Sequence, residues 1–275
     1  MAESALAVWA TVGGSRPETA RAETPERVHR VERIMGTVFG FDVRGRGVPP
    51  SAIDQAVALL HDIDARYSTY RPDSQISRLI RGEIDPDECA ADVRAVIGLC
   101  EDLRRTSAGA FDIRRHRPDG RPDPTGLVKG WAAEEAAVLL EGAGATDYAI
   151  NAGGDVVARG EPEPGRAWRV GIRHPRIPDG LAAVLEVRDL AVATSGAYER
   201  GQHIVDPRTG GPPVDLASVT VVGPSPTYAD AYATIAFVMG LDGLAWVAGH
   251  AGYDAYAITT DERAIWTAGI GPLLA

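Results

Sequence analysis

The sequence predicts an α+β fold. Apolar residues recur at helical spacing early and late in the chain, while short β-rich runs bounded by Gly, Pro and Asp fill its middle. Helices and strands do not alternate one for one, which argues against a parallel βαβ sheet. With 275 residues, 45% hydrophobic and 24% charged, the chain has the composition of an ordinary soluble globular protein.

The elements follow in order. Residues 1–27 are rich in Ala, Glu, Arg, Thr and Pro without a sustained period, and are expected to form a flexible N-terminal arm ahead of a domain spanning 28–275. Val31 to Val43 reads as a strand pair or one long strand carrying Met35-Gly36-Thr37. Pro49-Pro50-Ser51 opens a helix whose stripe is Ile53, Val57, Leu60 and Ile63. A polar loop from Tyr67 to Ser74 leads into a short helix ending near Leu79. A further helix over about 90–106 turns Val93, Val96, Ile97, Cys100 and Leu103 inward. From Gly109 to Asp123 the chain is loaded with Arg, Pro, Asp and Gly, and is expected to order only when something binds. Lys129 falls in the first turn of the next helix, which ends near Glu141. Six short strands are expected near 148–150, 155–158, 168–172, 183–187, 191–194 and 218–222. Helices over about 229–239 and 241–251 precede two closing strands at 255–259 and 264–267.

Charge and composition exclude several classes of function. The net charge is −10 and no basic stripe stands out, so no nucleic-acid partner is expected. No apolar run reaches the ~18 residues of a spanning helix, so no membrane insertion is expected. Neither a signal peptide nor an early lipid-bearing Cys is apparent, and Cys89 and Cys100 are too few for a disulfide framework. A cytoplasmic location fits these features.

Four places carry chemistry. Of the 28 Lys plus Arg residues only Lys129 is lysine, as expected where a compact ammonium fits and a planar guanidinium does not. A surface Lys left by chance would look the same. Just before it, Asp123, Thr125 and Gly126 mark a helix start, where N–H groups and the helix dipole favour phosphate. Asp230 and Thr234 lie four apart on one face of an apolar helix, a face that continues through Phe237 and Leu241. Two hard oxygens side by side suit Mg2+, although an Arg-paired Asp and a Thr bonded to its own helix fit the spacing equally. Asn151-Ala152-Gly153-Gly154-Asp155 lies between strands and is either a plain turn or a close approach to a planar ligand. His203 has the richest polar context of the six histidines, in His203-Ile204-Val205-Asp206-Pro207-Arg208-Thr209-Gly210.

In order and content these segments resemble the ApbE family of FAD:protein FMN transferases. The resemblance runs from Met35 onward. It rests on Met35-Gly36-Thr37, Tyr70 through Arg78, Gly109-Ala110-Phe111-Asp112, Lys129-Gly130 and Asn151 through Asp155. Gly171 through Pro175, Thr194-Ser195-Gly196 with Tyr198, His203 through Gly210 and Ala229 through Thr234 complete it. It implies a single T-fold-like domain with a central mixed or antiparallel sheet and flanking helices. It further implies Mg2+-dependent transfer of the FMN half of FAD to a Thr or Ser hydroxyl of an acceptor flavoprotein, with AMP released. By position, Gly126, Asp230 and Thr234 would hold the metal. Met35, Tyr70, Ala110, Phe111, Asp112, Asp123 and Lys129 would line the FAD site, with Gly153, Gly154 and Asp155 at its nucleotide end. His203 is the candidate base. Two local departures stand out: the run Ile113–Pro122 is shorter than is usual in the family, and Val128 replaces a common small Ala. An FAD pyrophosphatase and a non-catalytic FAD-binding protein are the competing readings.

Overall fold

The computed structural model describes residues 27–45, 48–114, 120–196 and 204–275. Strands β1 (Arg27–Ile34) and β2 (Thr37–Arg44) form a hairpin whose two-residue turn, Met35-Gly36, has positive φ at both positions. Glycine takes that conformation freely, whereas Met35 is held in it at φ 56°. Helix α1 (Pro50–Tyr67) starts on its proline as expected, and α2 (Gln75–Arg81) is capped by the Ser74 hydroxyl, which accepts from the Ser77 N–H. Helix α3 (Ala91–Thr106) buries the five residues named from its period. Burial pushes the Cys100 thiol up, which leaves it an inert core group.

Helix α4 spans Thr125–Gly142. It is followed by β3 (Asp147–Ala152), β4 (Asp155–Arg159), β5 (Trp168–Arg173), β6 (Leu181–Val187), β7 (Leu190–Gly196) and β8 (Leu216–Gly223). Helices α5 (Pro226–Met239) and α6 (Leu241–Ala248) then lead to β9 (Asp254–Thr259), β10 (Ala264–Trp266) and a terminal 3-10 turn over Ala268–Leu273. Eight strands form one sheet in the order β1-β2-β3-β4-β7-β8-β9-β10, and β5 pairs with β6 alone. Every pairing is antiparallel, which settles the mixed-or-antiparallel alternative.

Both faces of the large sheet are covered. Ile150, Val157, Ala193, Val221 and Ala257 face the helices, while their neighbours Ala149, Val156, Val192, Val222 and Ile258 pack under β5, β6 and the terminal 3-10 turn. The central strands are therefore apolar on both sides, and hydrophobicity does not alternate along them.

Four sequence expectations change in detail. Helix α5 begins three residues early because Ser225 caps it, accepting from the Tyr228 N–H, and Pro226 fits its first turn. It ends at Gly240, so Leu241 starts α6 and is half-exposed, off the Asp230 face. Helix α4 begins at Thr125, which puts Lys129 in its second turn. Between Gly109 and Arg114 the chain is folded, with Ala110, Phe111 and Ile113 buried as apolar anchors and the Phe111 N–H donating to Ser107 Oγ. Residues 115–119 of that stretch lie outside the described residues, as do 1–26 of the expected arm; Arg27 belongs to β1.

The site is set by how α4 meets α5. Glu134 of α4 accepts hydroxyl hydrogens from Ser225 and Thr227 at the start of α5. One turn earlier a Cβ on Gly130 would lie 2.7 Å from the Pro226 carbonyl oxygen and 2.8 Å from Asp230 Cβ. Both obstacles are on or next to backbone and cannot swing away. Gly130→Ala is therefore expected to lower the unfolding free energy by about 1–2 kcal/mol in urea titration, overpacking outweighing the gain in helix propensity.

Candidate active site

Asp230 and Thr234 occupy the flank of α5 that faces α4 and β7. Asp230 is buried, and its Oδ2 accepts from the Gly130 N–H at 3.0 Å. In an α-helix that N–H would serve the Gly126 carbonyl. Sharing it with Asp230 brings Gly126, Gly130 and Asp230 into one neighbourhood and leaves the Gly126 oxygen with acceptor capacity. Thr234 Oγ1 is 3.0 Å from Ser195 Oγ on β7. The Thr is thus bonded across to the sheet, and α4 donates a backbone N–H to the Asp.

Lys129 explains its own singularity. Its Nζ lies 2.5 Å from Asp155 Oδ2 and 3.8 Å from Asp230 Oδ1, with the side chain only 25% exposed. One ammonium stands between two nearly buried carboxylates from different elements. Asp155 is the first residue of β4, and its Oδ1 accepts from the Thr194 N–H at 3.1 Å. Asp155, expected at the nucleotide end of the FAD site, forms an ion pair with Lys129.

The turn before Asp155 is a two-residue Gly153-Gly154 hairpin closed by Ala152 and Asp155, with positive φ at both glycines. Asn151 Oδ1 accepts from the Gly154 N–H at 2.9 Å, and the Gly153 N–H donates to the Val38 carbonyl at 2.9 Å. The Thr37 side chain fills the space a Gly153 side chain would need. The Met35-Gly36-Thr37 turn and the Gly153-Gly154 turn therefore abut.

The start of α4 is less open to phosphate than its sequence suggests. Asp123 Oδ1 accepts from the Thr125 N–H and hydroxyl at 3.2 and 2.7 Å, and the Leu127 N–H donates to the Pro124 carbonyl. With those donors engaged, the cationic contact available to a phosphate falls chiefly to Lys129. Asp112 is committed to its own loop through Arg104 Nε at 3.1 Å and the Arg114 N–H at 2.8 Å. Ala110 and Phe111 are buried walls, and Tyr70 is almost fully exposed, its ring offered to solvent. The bonds traced above do not connect Tyr70, Ala110, Phe111 or Asp112 to the Lys129 cluster. His203 and Tyr198 lie outside the described residues.

Ser195 and Thr194 carry weight that the sequence reading did not assign. The available signal was a polar pair near the end of an otherwise apolar strand. Glu134 gave no comparable signal.

The donor set fits a hard divalent ion: one carboxylate, one hydroxyl and one carbonyl. Among the described residues no three His, Cys, Asp or Glu side chains converge on a metal site. Few protein ligands of mixed oxygen type suit Mg2+, which keeps water or phosphate in its shell, better than Zn2+. Removing the ammonium would leave two buried carboxylates facing each other. Lys129→Ala should cost about 2–3 kcal/mol of stability in urea titration, the low end for a buried pair because Lys129 keeps some solvent contact.

Comparison with known proteins adds an independent line. The profile of the ApbE family matches residues 35–117 and 113–257. A protein named FAD:protein FMN transferase from Haemophilus influenzae is 26% identical over 251 residues, covering 69% of this chain and 72% of its own length. One of the same name from Vibrio cholerae is 27% identical, covering 84% and 87%. Among solved structures, the flavin transferase ApbE from Vibrio cholerae superposes with a TM-score of 0.80 at 24% identity, covering 91% of this chain and 100% of that one. The ApbE protein from Thermotoga maritima gives 0.80 at 20% identity, covering 91% and 100%. At these identities the superpositions establish the fold.

Proposed function

The chain belongs to the ApbE family and is an enzyme of the FAD:protein FMN transferase kind, and we propose that it moves the FMN half of FAD onto a Thr or Ser hydroxyl of an acceptor flavoprotein with Mg2+ at Gly126, Asp230 and Thr234. The observation that carries this reading is the convergence of the Lys129 ammonium, the Asp230 carboxylate and the Thr234 hydroxyl where α4 crosses α5.

In the reaction the acceptor oxygen bonds to the phosphorus of the FMN half, and the bond from that phosphorus to the bridging oxygen breaks. AMP leaves with the bridging oxygen, and the hydroxyl proton passes to a base. Bound Mg2+ supplies charge neutralisation at the pyrophosphate oxygens. Lys129 supplies a second positive charge beside the reacting phosphate. The glycine turn at Gly153-Gly154 and the exposed Tyr70 ring are assigned to the ends of the dinucleotide, where a flat approach and stacking are needed. His203 is assigned as the base from its sequence context. Cys89 and Cys100 are free and buried, which suits action in the reducing cytoplasm. No helix among the described residues is long and apolar enough to cross a membrane.

The direct test is incubation of the chain with FAD, Mg2+ and candidate flavoprotein subunits, followed by mass spectrometry for a covalent FMN adduct and by AMP assay. Transfer predicts AMP release that depends on the acceptor. Rapid AMP release with FAD alone would replace this reading with hydrolysis, and tight FAD binding without turnover would remove the enzyme altogether. Asp230→Asn should reduce transfer by about a hundredfold or more while the thermal unfolding profile stays cooperative, and chelation of the parent's divalent ion should reproduce the loss reversibly. His203→Ala should lower kcat at saturating FAD by about tenfold or more; a change within a few-fold would remove His203 from the mechanism.

A further inference from the structure

We infer that Asp155 is a tether: it holds the Lys129 ammonium back from Asp230 and so keeps the Asp230–Thr234 oxygens open to a divalent cation. The inference rests on the cation reading above and gives Asp155 a positioning role, not one as a ligand or nucleotide contact.

The geometry is specific. Asp155 is 6% exposed and cannot drift, because the glycine hairpin fixes its backbone and the Thr194 N–H fixes its Oδ1. Its Oδ2 then faces Lys129 at 2.5 Å. The same ammonium stands 3.8 Å from Asp230 Oδ1, beyond hydrogen-bond length. Asp230 cannot turn to meet it without giving up the Gly130 N–H on Oδ2. One ammonium thus sits between two carboxylates and is drawn to the nearer. Its four-carbon stem lets it move. Without the Asp155 charge it would close onto Asp230 Oδ1, and an incoming cation would have to displace it. Asp155 accordingly acts through Lys129.

A double-mutant cycle tests this with Mn2+ as the probe, its affinity measured by calorimetry and electron paramagnetic resonance without FAD. Asp155→Asn removes the charge and keeps an oxygen for the Thr194 N–H. It should weaken Mn2+ binding about tenfold or more. In a Lys129→Gln background the same substitution should weaken it by less than about threefold. A simple field effect of the lost carboxylate predicts equal losses in both backgrounds, and equality overturns the tether. Unchanged affinity in Asp155→Asn overturns it as well. Failure of the underlying cation site looks different: Asp230→Asn would bind Mn2+ as tightly as the parent.

The parent itself covers the case in which Asp155→Asn does not fold. Lys129 is the only lysine, so lysine labelled with 15N gives one side-chain ammonium signal. A tethered ammonium keeps a slowly exchanging signal as Mg2+ saturates the protein. Loss of that signal on saturation shows that Asp155 does not anchor it and overturns the inference.

Discussion

Two helices must approach closely enough for the N–H of Gly130 to reach the carboxylate of Asp230. The rest of the site follows from that approach. A glycine on α4 removes the Cβ that would strike the Pro226 carbonyl, and Glu134 one turn on ties the start of α5 to the same helix. With the crossing fixed, Lys129 has no choice but to project beside Asp230, and β4 brings Asp155 to its other side. Burying a lone carboxylate costs several kcal/mol, so neither acid would persist there without the ammonium and the backbone N–H groups that hold it.

The sheet does more than support the helices. Strand β7 runs through the middle of it and carries two adjacent polar residues, Thr194 and Ser195, that point to opposite faces. The Thr194 N–H fixes one acid, the Ser195 hydroxyl fixes Thr234, and Thr194 Oγ1 pairs with Thr220 on β8. The first joins two strands and the second a strand to a helix, each across 39 residues of sequence. The second layer of β5, β6 and the terminal turn covers the far side of the sheet, while in the cluster itself Asp155 and Asp230 are buried and Lys129 is partly exposed. Burial of the two acids strengthens their charge–charge contacts with the ammonium.

Much of this was legible beforehand. Helices α1 and α3 appear where apolar period and, for α1, a proline start place them, because in each the buried stripe is itself the reason for the helix. Asp230 and Thr234 were readable as neighbours since 3.6 residues per turn fixes that geometry locally. The early start of α5 came from Ser225, a cap that lies outside the apolar pattern. The β5–β6 layer was legible as strands but not as a separate cover, because a strand's period does not say which partner it pairs with. Gly109–Asp123 read from its charge as a segment that orders only on binding, while in Gly109–Arg114 three apolar anchors decide the fold.

From the sequence alone came the order and approximate placement of most elements, the lone lysine and the pairing of two oxygen donors one helical turn apart. These depend on spacing along a single segment, and the chain's geometry sets that within a few ångströms. The tertiary structure decided that Lys129 is shared between Asp155 and Asp230, that Ser195 holds Thr234, and that Asp123 takes donors otherwise available to phosphate. Each of the first two is a contact between segments distant in sequence, and the third turns on how one loop closes onto its own helix. Hydrogen bonds and ion pairs act over about 3–4 Å, so their partners are chosen by packing and not by order along the chain.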